Sequence, residues 1–170
     1  MNVYICGIDH EIQTYDGRRE AALKKQFEEL LRNLVSKHTV QMIGDETYEA
    51  KDAIAKRVAG SMGIRWVPVE MSLNAREELG IAHEQRHDRY ECVTQDGTPI
   101  GFRAKRVLSD GIREEYMLWC ALRNSGDAKS ILILCGFLHV EELRKRFEKH
   151  GCQVITDSLC KYSWYSHPDC

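Results

Sequence analysis

The sequence predicts an α/β fold: a three-layer α/β/α domain with a mainly parallel sheet of about five strands. Two observations predict it. Short apolar, β-branched runs alternate along the chain with longer stretches whose apolar residues recur at helical spacing. The run Ser130-Ile131-Leu132-Ile133-Leu134-Cys135 is apolar without alternation, which implies a strand covered on both faces. Strands of that kind, separated by amphipathic helices, are joined by right-handed crossovers into a parallel sheet.

Taken in order, Val3-Tyr4-Ile5-Cys6 gives a first strand near 2–6, ending at Gly7. Residues 20–36 place Leu23, Phe27, Leu30, Leu31, Leu34 and Val35 on one helical face. Val40-Gln41-Met42-Ile43 predicts a second strand near 39–43, stopped by Gly44. A second helix over 48–60 carries Ala53, Ile54, Ala55, Val58 and Ala59 and closes at Gly60 or Gly63. A third strand follows near 64–68, and Pro68 puts its end outside the ladder or near an edge. Residues 73–124 then read as a helical insertion. A charged helix runs from Leu73 to about Tyr90, a turn covers 94–101, and a second helix spans about 110–123. The fourth strand is 130–135. Val140, Leu143 and Phe147 mark a helix that Gly151 ends, and 153–156 is the last strand.

The length of 170 residues suits a single domain, 1–170, with an aromatic tail at about 158–170. A formal net charge of −2 supplies no bulk attraction for nucleic acid or an anionic membrane, so neither is expected as a partner. There is no run of 18 apolar residues, and the start MNVYICGIDH lacks the basic region of a signal peptide, so the expected location is cytoplasmic. The seven cysteines are odd in number and contain no CxxC spacing. Most are expected to be reduced core residues, with oxidation conceivable only at Cys160 and Cys170 in the tail. The tail residues Tyr162, Trp164 and Tyr165 are too aromatic to remain in water. They are expected to pack on the sheet or on a second subunit, which makes a homodimer a candidate assembly.

In open α/β sheets, ligands bind beyond the carboxyl ends of the strands. Gly7-Ile8-Asp9-His10 follows the first strand, Gly44-Asp45-Glu46 the second and Gly136-Phe137-Leu138-His139 the fourth. Two imidazoles and a carboxylate therefore reach one rim, each after a glycine expected to permit a sharp turn off the sheet. His10, Glu46 and His139 make a donor set suited to a divalent transition metal (Zn, Mn or Co), with a position left for water. The alternative reading makes His10 and His139 loop histidines bonded to backbone carbonyls.

Residues 7–10 and 134–143 (LCGFLHVEEL), with Ile43-Gly44-Asp45-Glu46 between them, resemble the TIKI/TraB superfamily, which includes erythromycin esterase and the ChaN iron-regulated lipoproteins. Arg113-Glu114-Glu115-Tyr116-Met117 is similar to the family's R-[ND]-x-x-M helix, with Glu in place of Asn or Asp. About a dozen positions carry the resemblance, in order along nearly the whole chain, and the middle is shorter than in typical members. The resemblance implies His10, Glu46 and His139 as the site, Arg113 as its cationic neighbour, and hydrolysis of an amide, ester or related bond in a small or peptide-like substrate. Such a metal activates a bound water and polarises the scissile group. Glu46 can instead act as general base. Arg113 can hold a substrate anion or stabilise an oxyanion, or merely pair with Glu46 or Glu114. Asp9 and Asp45 are candidate partners of the histidines.

Three other readings compete. His83-Glu84-Gln85-Arg86-His87 spells H-E-x-x-H, the helical signature of a zinc peptidase. Arg86, Asp88 and Arg89 make the stretch more hydrophilic than a buried zinc helix; Glu91 is too near along the helix to be a third ligand, and Glu114 or Glu115 would need the second helix to pack alongside. Phe102-Arg103-Ala104-Lys105-Arg106 can contact a phosphate, or form a solvated turn into the next helix. A non-catalytic domain that keeps the cleft to bind a ligand, metal or protein is the remaining class.

Overall fold

The computed structural model describes residues 1–15, 20–47, 52–79, 81, 92–93, 99–100 and 102–166, with only the backbone described for 92–93, 99–100 and 102–108. Its centre is a five-stranded sheet of β1 (Asn2–Ile8), β2 (Met42–Asp45), β3 (Arg65–Pro68), β6 (Ser130–Gly136) and β7 (Gln153–Ser158). The spatial order is β3-β2-β6-β1-β7, and every neighbouring pair is parallel. The short strands β4 (Cys92–Val93) and β5 (Pro99–Ile100) pair antiparallel in a separate hairpin. The α/β fold with a five-stranded parallel sheet is thus the one predicted.

Alternation along the strands divides the core into two layers. Tyr4, Cys6, Ile8, Ile43, Leu132 and Leu134 face α1 (Ala21–Lys37) and α2 (Ile54–Met62). Val3, Ile5, Met42, Ile131, Ile133 and Cys135 face α4 (Phe102–Ser125) and α5 (Val140–Lys149). All seven residues of β6 are buried, as its unbroken apolar run required. The outermost strand β7 has exposed and half-buried residues only.

Several boundaries differ from expectation. The second strand starts at Met42 because Thr39 turns through a positive φ of 49° just after α1. The described second helix begins at Ile54 and closes on Gly63, whose φ of 67° supplies the left-handed cap. Residues 48–51 lie outside the described set. In the insertion, α3 (Leu73–Glu78) is described only to Glu78, and most of the stretch toward Tyr90 lies outside the described residues. The long helix α4 starts at Phe102, so Phe102–Arg106 is helical rather than a turn. Helix propensity explains the difference: Arg, Ala and Lys are good helix formers once neither Gly nor Pro intervenes.

The glycines before the site correct the sequence reading. Gly7 and Gly44 lie inside β1 and β2, Gly136 is the last residue of β6, and none has a positive φ. What they provide is space. A Cβ on Gly7 would lie 2.9 Å from Val140 Cγ2, and one on Gly44 would lie 2.8 Å from Ile133 Cδ1.

The tail folds back on its own chain. Tyr165 is buried, Tyr162 and Trp164 pack on the α1/α2 layer, and the Tyr165 hydroxyl lies 3.1 Å from Asp9 Oδ2. Cys6, Cys120, Cys135 and Cys152 are free thiols, whereas Cys160 is disulfide-bonded. Among the described residues, no helix is long and apolar enough to cross a membrane.

Candidate functional site

Each site element begins where a strand ends. His10 opens a short 3-10 helix, η1 (His10–Ile12), directly after β1, and Asp9 caps it by accepting from the Glu11 N–H at 2.9 Å. Glu46 follows β2, and its own N–H bonds to the Leu134 carbonyl at 2.9 Å, which extends the ladder and fixes the residue. His139 ends a second 3-10 helix, η2 (Phe137–His139), after β6. Because β2, β6 and β1 are adjacent, these three residues meet at one edge of the sheet.

The meeting point is a single oxygen. His10 Nε2 is 3.8 Å and His139 Nε2 3.6 Å from Glu46 Oε1. Arg113 reaches the same atom from α4, with Nη2 at 2.7 Å. The other carboxylate oxygen, Glu46 Oε2, accepts the Gly136 backbone N–H at 2.7 Å. Glu46 is therefore held at both oxygens and almost wholly buried. The four residues singled out in the sequence lie together.

Arg113 is committed to carboxylates of its own chain. Besides Glu46 it donates to Glu70 from Nε at 3.1 Å and Nη2 at 2.5 Å, and to Asp110 from Nη1 at 3.3 Å. Arg76 of α3 also contacts Glu70, at 2.7 Å. Burial alone would raise the Glu70 pKa, but the Arg113 and Arg76 guanidiniums and the Met71 N–H outweigh it and hold the carboxyl below its ordinary value. Of the roles open to Arg113, the structure displays the ion pair with Glu46. Met117, four residues further along α4, is buried on the same inward face.

The two histidines are oriented differently. The His139 side chain is buried, and its Nδ1 lies 2.9 Å from Glu114 Oε1, while Glu114 Oε2 lies 3.4 Å from Arg146 Nη2. Burial lowers the His139 pKa, but the bond to Glu114 and the charge of Glu46 more than reverse this, leaving it raised. The His10 side chain is 53% exposed, and its Nδ1 lies 2.7 Å from the side-chain oxygen of Gln13. Gly136 lies directly beneath: a Cβ there would come within 2.8 Å of His10 Nε2. Asp45 is linked to His10 through Gln13, and Asp9 bonds to the Tyr165 hydroxyl and the Glu11 N–H.

Gln13, Glu70 and Arg76 were not picked out in the sequence, and Glu114 was named there as a partner of Arg113 or a ligand of the His83–His87 motif rather than as the partner of His139. Glu70 follows β3 by the same rule that identified Glu46. Gln13 is three residues after His10, the spacing that stacks side chains in a 3-10 helix. Cys135, next to Gly136, is no alternative nucleophile, because complete burial pushes its thiol well above the ordinary range.

Two imidazoles and a carboxylate have the chemistry of a metal donor set, but their placement does not complete one. Among the described residues no group of three His, Cys, Asp or Glu side chains is arranged to hold a metal ion. The His83–His87 motif, with Glu84 and Glu91, lies outside the described residues. The Glu114 carboxylate, a candidate third ligand for that motif, is bonded to His139.

In comparisons with protein-family models, curated proteins and solved structures, nothing matches the chain.

Proposed function

We propose that the chain is a hydrolase in which His10, Glu46 and His139 direct a water molecule at an ester, amide or related bond of a small or peptide-like substrate. The observation that carries this reading is the approach of two imidazole Nε2 atoms to one buried carboxylate oxygen, at the carboxyl edge of a parallel sheet. The motif resemblance to the TIKI/TraB superfamily points the same way.

His10 is the proton acceptor in this proposal, because its ring is open to solvent and substrate while its Nε2 has no hydrogen-bond partner among the described residues. Glu46 faces both rings with a fixed negative charge, stabilising either imidazolium as it forms. His139, pinned through Nδ1 by Glu114, returns a proton to the leaving group. Arg113 and the Gly136 N–H keep Glu46 from swinging out of this arrangement.

The test is a panel of chromogenic esters, amides and aminoacyl substrates, assayed with wild type and His10→Gln before and after EDTA. The expected result is turnover that falls about 10²–10⁴-fold in the variant, the range of a lost general base. EDTA is expected to leave turnover unchanged. Activity lost to EDTA and restored by Zn, Mn or Co would instead give the three donors a metal. A wild-type protein that turns over none of the panel but binds members of it would make the domain a binder.

A further inference from the structure

We infer that Gln13 is a positioning residue that fixes His10 as the Nδ1–H tautomer, so that Nε2 presents its lone pair to the cleft beside Glu46. The inference deepens the hydrolase reading and rests on it for the use made of that lone pair.

An amide side chain orients a neighbour only if its own oxygen and nitrogen cannot exchange places. Gln13 satisfies this condition. Its nitrogen Nε2 lies 3.0 Å from Asp45 Oδ1 and 3.3 Å from the Glu46 carbonyl oxygen. The carbonyl is an acceptor in every protonation state, and the Asp45 carboxylate is an acceptor when ionised. Burial pushes Asp45 up to about 6, yet even a protonated Asp45 leaves the Glu46 carbonyl in place to demand a donor. A flipped amide would set its oxygen against the Glu46 carbonyl oxygen in every case, and against the Asp45 carboxylate as well when that is ionised. The Gln13 NH₂ therefore faces Asp45 and Glu46, and Oε1 faces His10 Nδ1 at 2.7 Å. An amide oxygen only accepts, so the hydrogen lies on Nδ1.

The surroundings make this geometry rigid. Gln13 is buried, and its carbonyl accepts the Ile54 N–H at 2.9 Å where α2 begins. Asp45 is fully buried, and its other oxygen accepts the Trp66 indole N–H from β3 at 3.2 Å. The chain of contacts Trp66–Asp45–Gln13–His10 thus crosses from the edge of the sheet to the cleft. It ends on a ring that is half in solvent, which has no packing need for such a support. The ring's remaining nitrogen sits over Gly136 and 3.8 Å from Glu46, without a hydrogen bond among the described residues. Free histidine in water favours the opposite tautomer, so the arrangement has a signature that simple packing would not produce.

That signature is the test. In ¹⁵N-labelled protein at a pH where the ring is neutral, long-range ¹H–¹⁵N correlations distinguish the two tautomers, and His10→Gln assigns the resonances. The expected result is an Nδ1–H ring in wild type and reversion to Nε2–H in Gln13→Leu, with the amide fingerprint of the folded chain retained. A wild-type ring in the Nε2–H form overturns the inference without any variant, which covers the case of a Gln13→Leu chain that fails to fold. A folded Gln13→Leu with an unchanged tautomer overturns it as well. If the panel of esters and amides is turned over, Gln13→Leu is expected to lower kcat by about 10–100-fold, with KM little changed, the usual cost of losing a histidine's orienting partner. A flipped ring with unaltered kcat would remove the positioning role. Should wild type turn over nothing while its His10 is Nδ1–H, the hydrolase reading fails and the tautomer assignment stands.

Discussion

The charges at the carboxyl edge of the sheet and those on the outer face of α5 look alike in distance and differ in everything else. Arg113 meets Glu46 at 2.7 Å and Glu70 at 2.5 Å, with all three side chains at most 6% exposed. On α5, Arg144 meets Glu141 and Glu148 at 2.6 Å each, and Lys145 meets Glu142 at 2.6 Å, but the carboxylates are 44–59% exposed. Water screens the second set, and each pair also gives up side-chain freedom to form. The first set has no such screen. Each buried charge there depends on its partner, because desolvation costs several kcal/mol per ion. Distance alone does not reveal a functional or structural demand; burial does.

The largest expected effect follows from this contrast. Arg113→Met should destabilise the fold by about 3–5 kcal/mol in urea denaturation, since it leaves Glu46 without its cation and Glu70 with Arg76 alone. Adding Glu46→Gln to that variant should recover much of the loss, because the carboxylate left without its cation is then neutral while Glu70 keeps Arg76. A loss below about 1 kcal/mol for Arg113→Met would mean that the buried cluster is as weak as the α5 pairs.

Glu28 of α1 sits between the extremes, with its side chain 17% exposed. The Tyr15 hydroxyl at 2.7 Å, helped by Arg32 and Arg57, holds its carboxyl down at about 2, against an ordinary value of 4.5. A carboxylate with a depressed folded pKa stabilises the native state above its unfolded pKa, and that contribution fades as pH falls through the folded one. The acid limb of the stability curve between pH 4.5 and about 2 should therefore be shallower in Glu28→Gln than in wild type. Equal slopes would show that Glu28 gains nothing from its partners. The smallest effect is expected on α5: Arg144→Ala should leave the denaturation midpoint within the scatter of replicate measurements, despite the loss of two 2.6 Å contacts.

What the sequence made legible follows the same division. The layers were readable because apolar burial repeats with a period, as in β6 with no exposed residue and in α1 with Phe27, Leu30, Leu31 and Leu34 inward. His10, Glu46 and His139 were readable because topology alone brings strand ends together. Glu70 was not singled out because it lies two residues beyond the end of β3, whereas Glu46 follows β2 directly. Glu114 and Gln13 act through contacts whose partners lie on other elements, 25 residues away for His139 and 32 for Asp45. No local pattern encodes such distances. The role given to the three glycines was mistaken for a related reason: turning and close approach select the same residue, and only the packed neighbours, such as Ile133 against Gly44, distinguish them.

The strand order has a consequence for how the protein comes into being. β1 and β2 are separated in the sheet by β6, so the first two strands synthesised are not each other's partners. Asn2 pairs with Ser130 and Met42 with Ile131, contacts between remote parts of the chain. A nascent chain that has emerged only as far as β3 holds Glu46 and His10 but neither the strand that joins them nor the Gly136 N–H that clamps the carboxylate. Such long loop closures slow folding, and they leave the edges of β1 and β2 unpaired while they wait. The same central strand that makes the cleft is therefore the last principal piece needed to close it, and a chain stopped before residue 130 should be a client of chaperones rather than a smaller version of the protein.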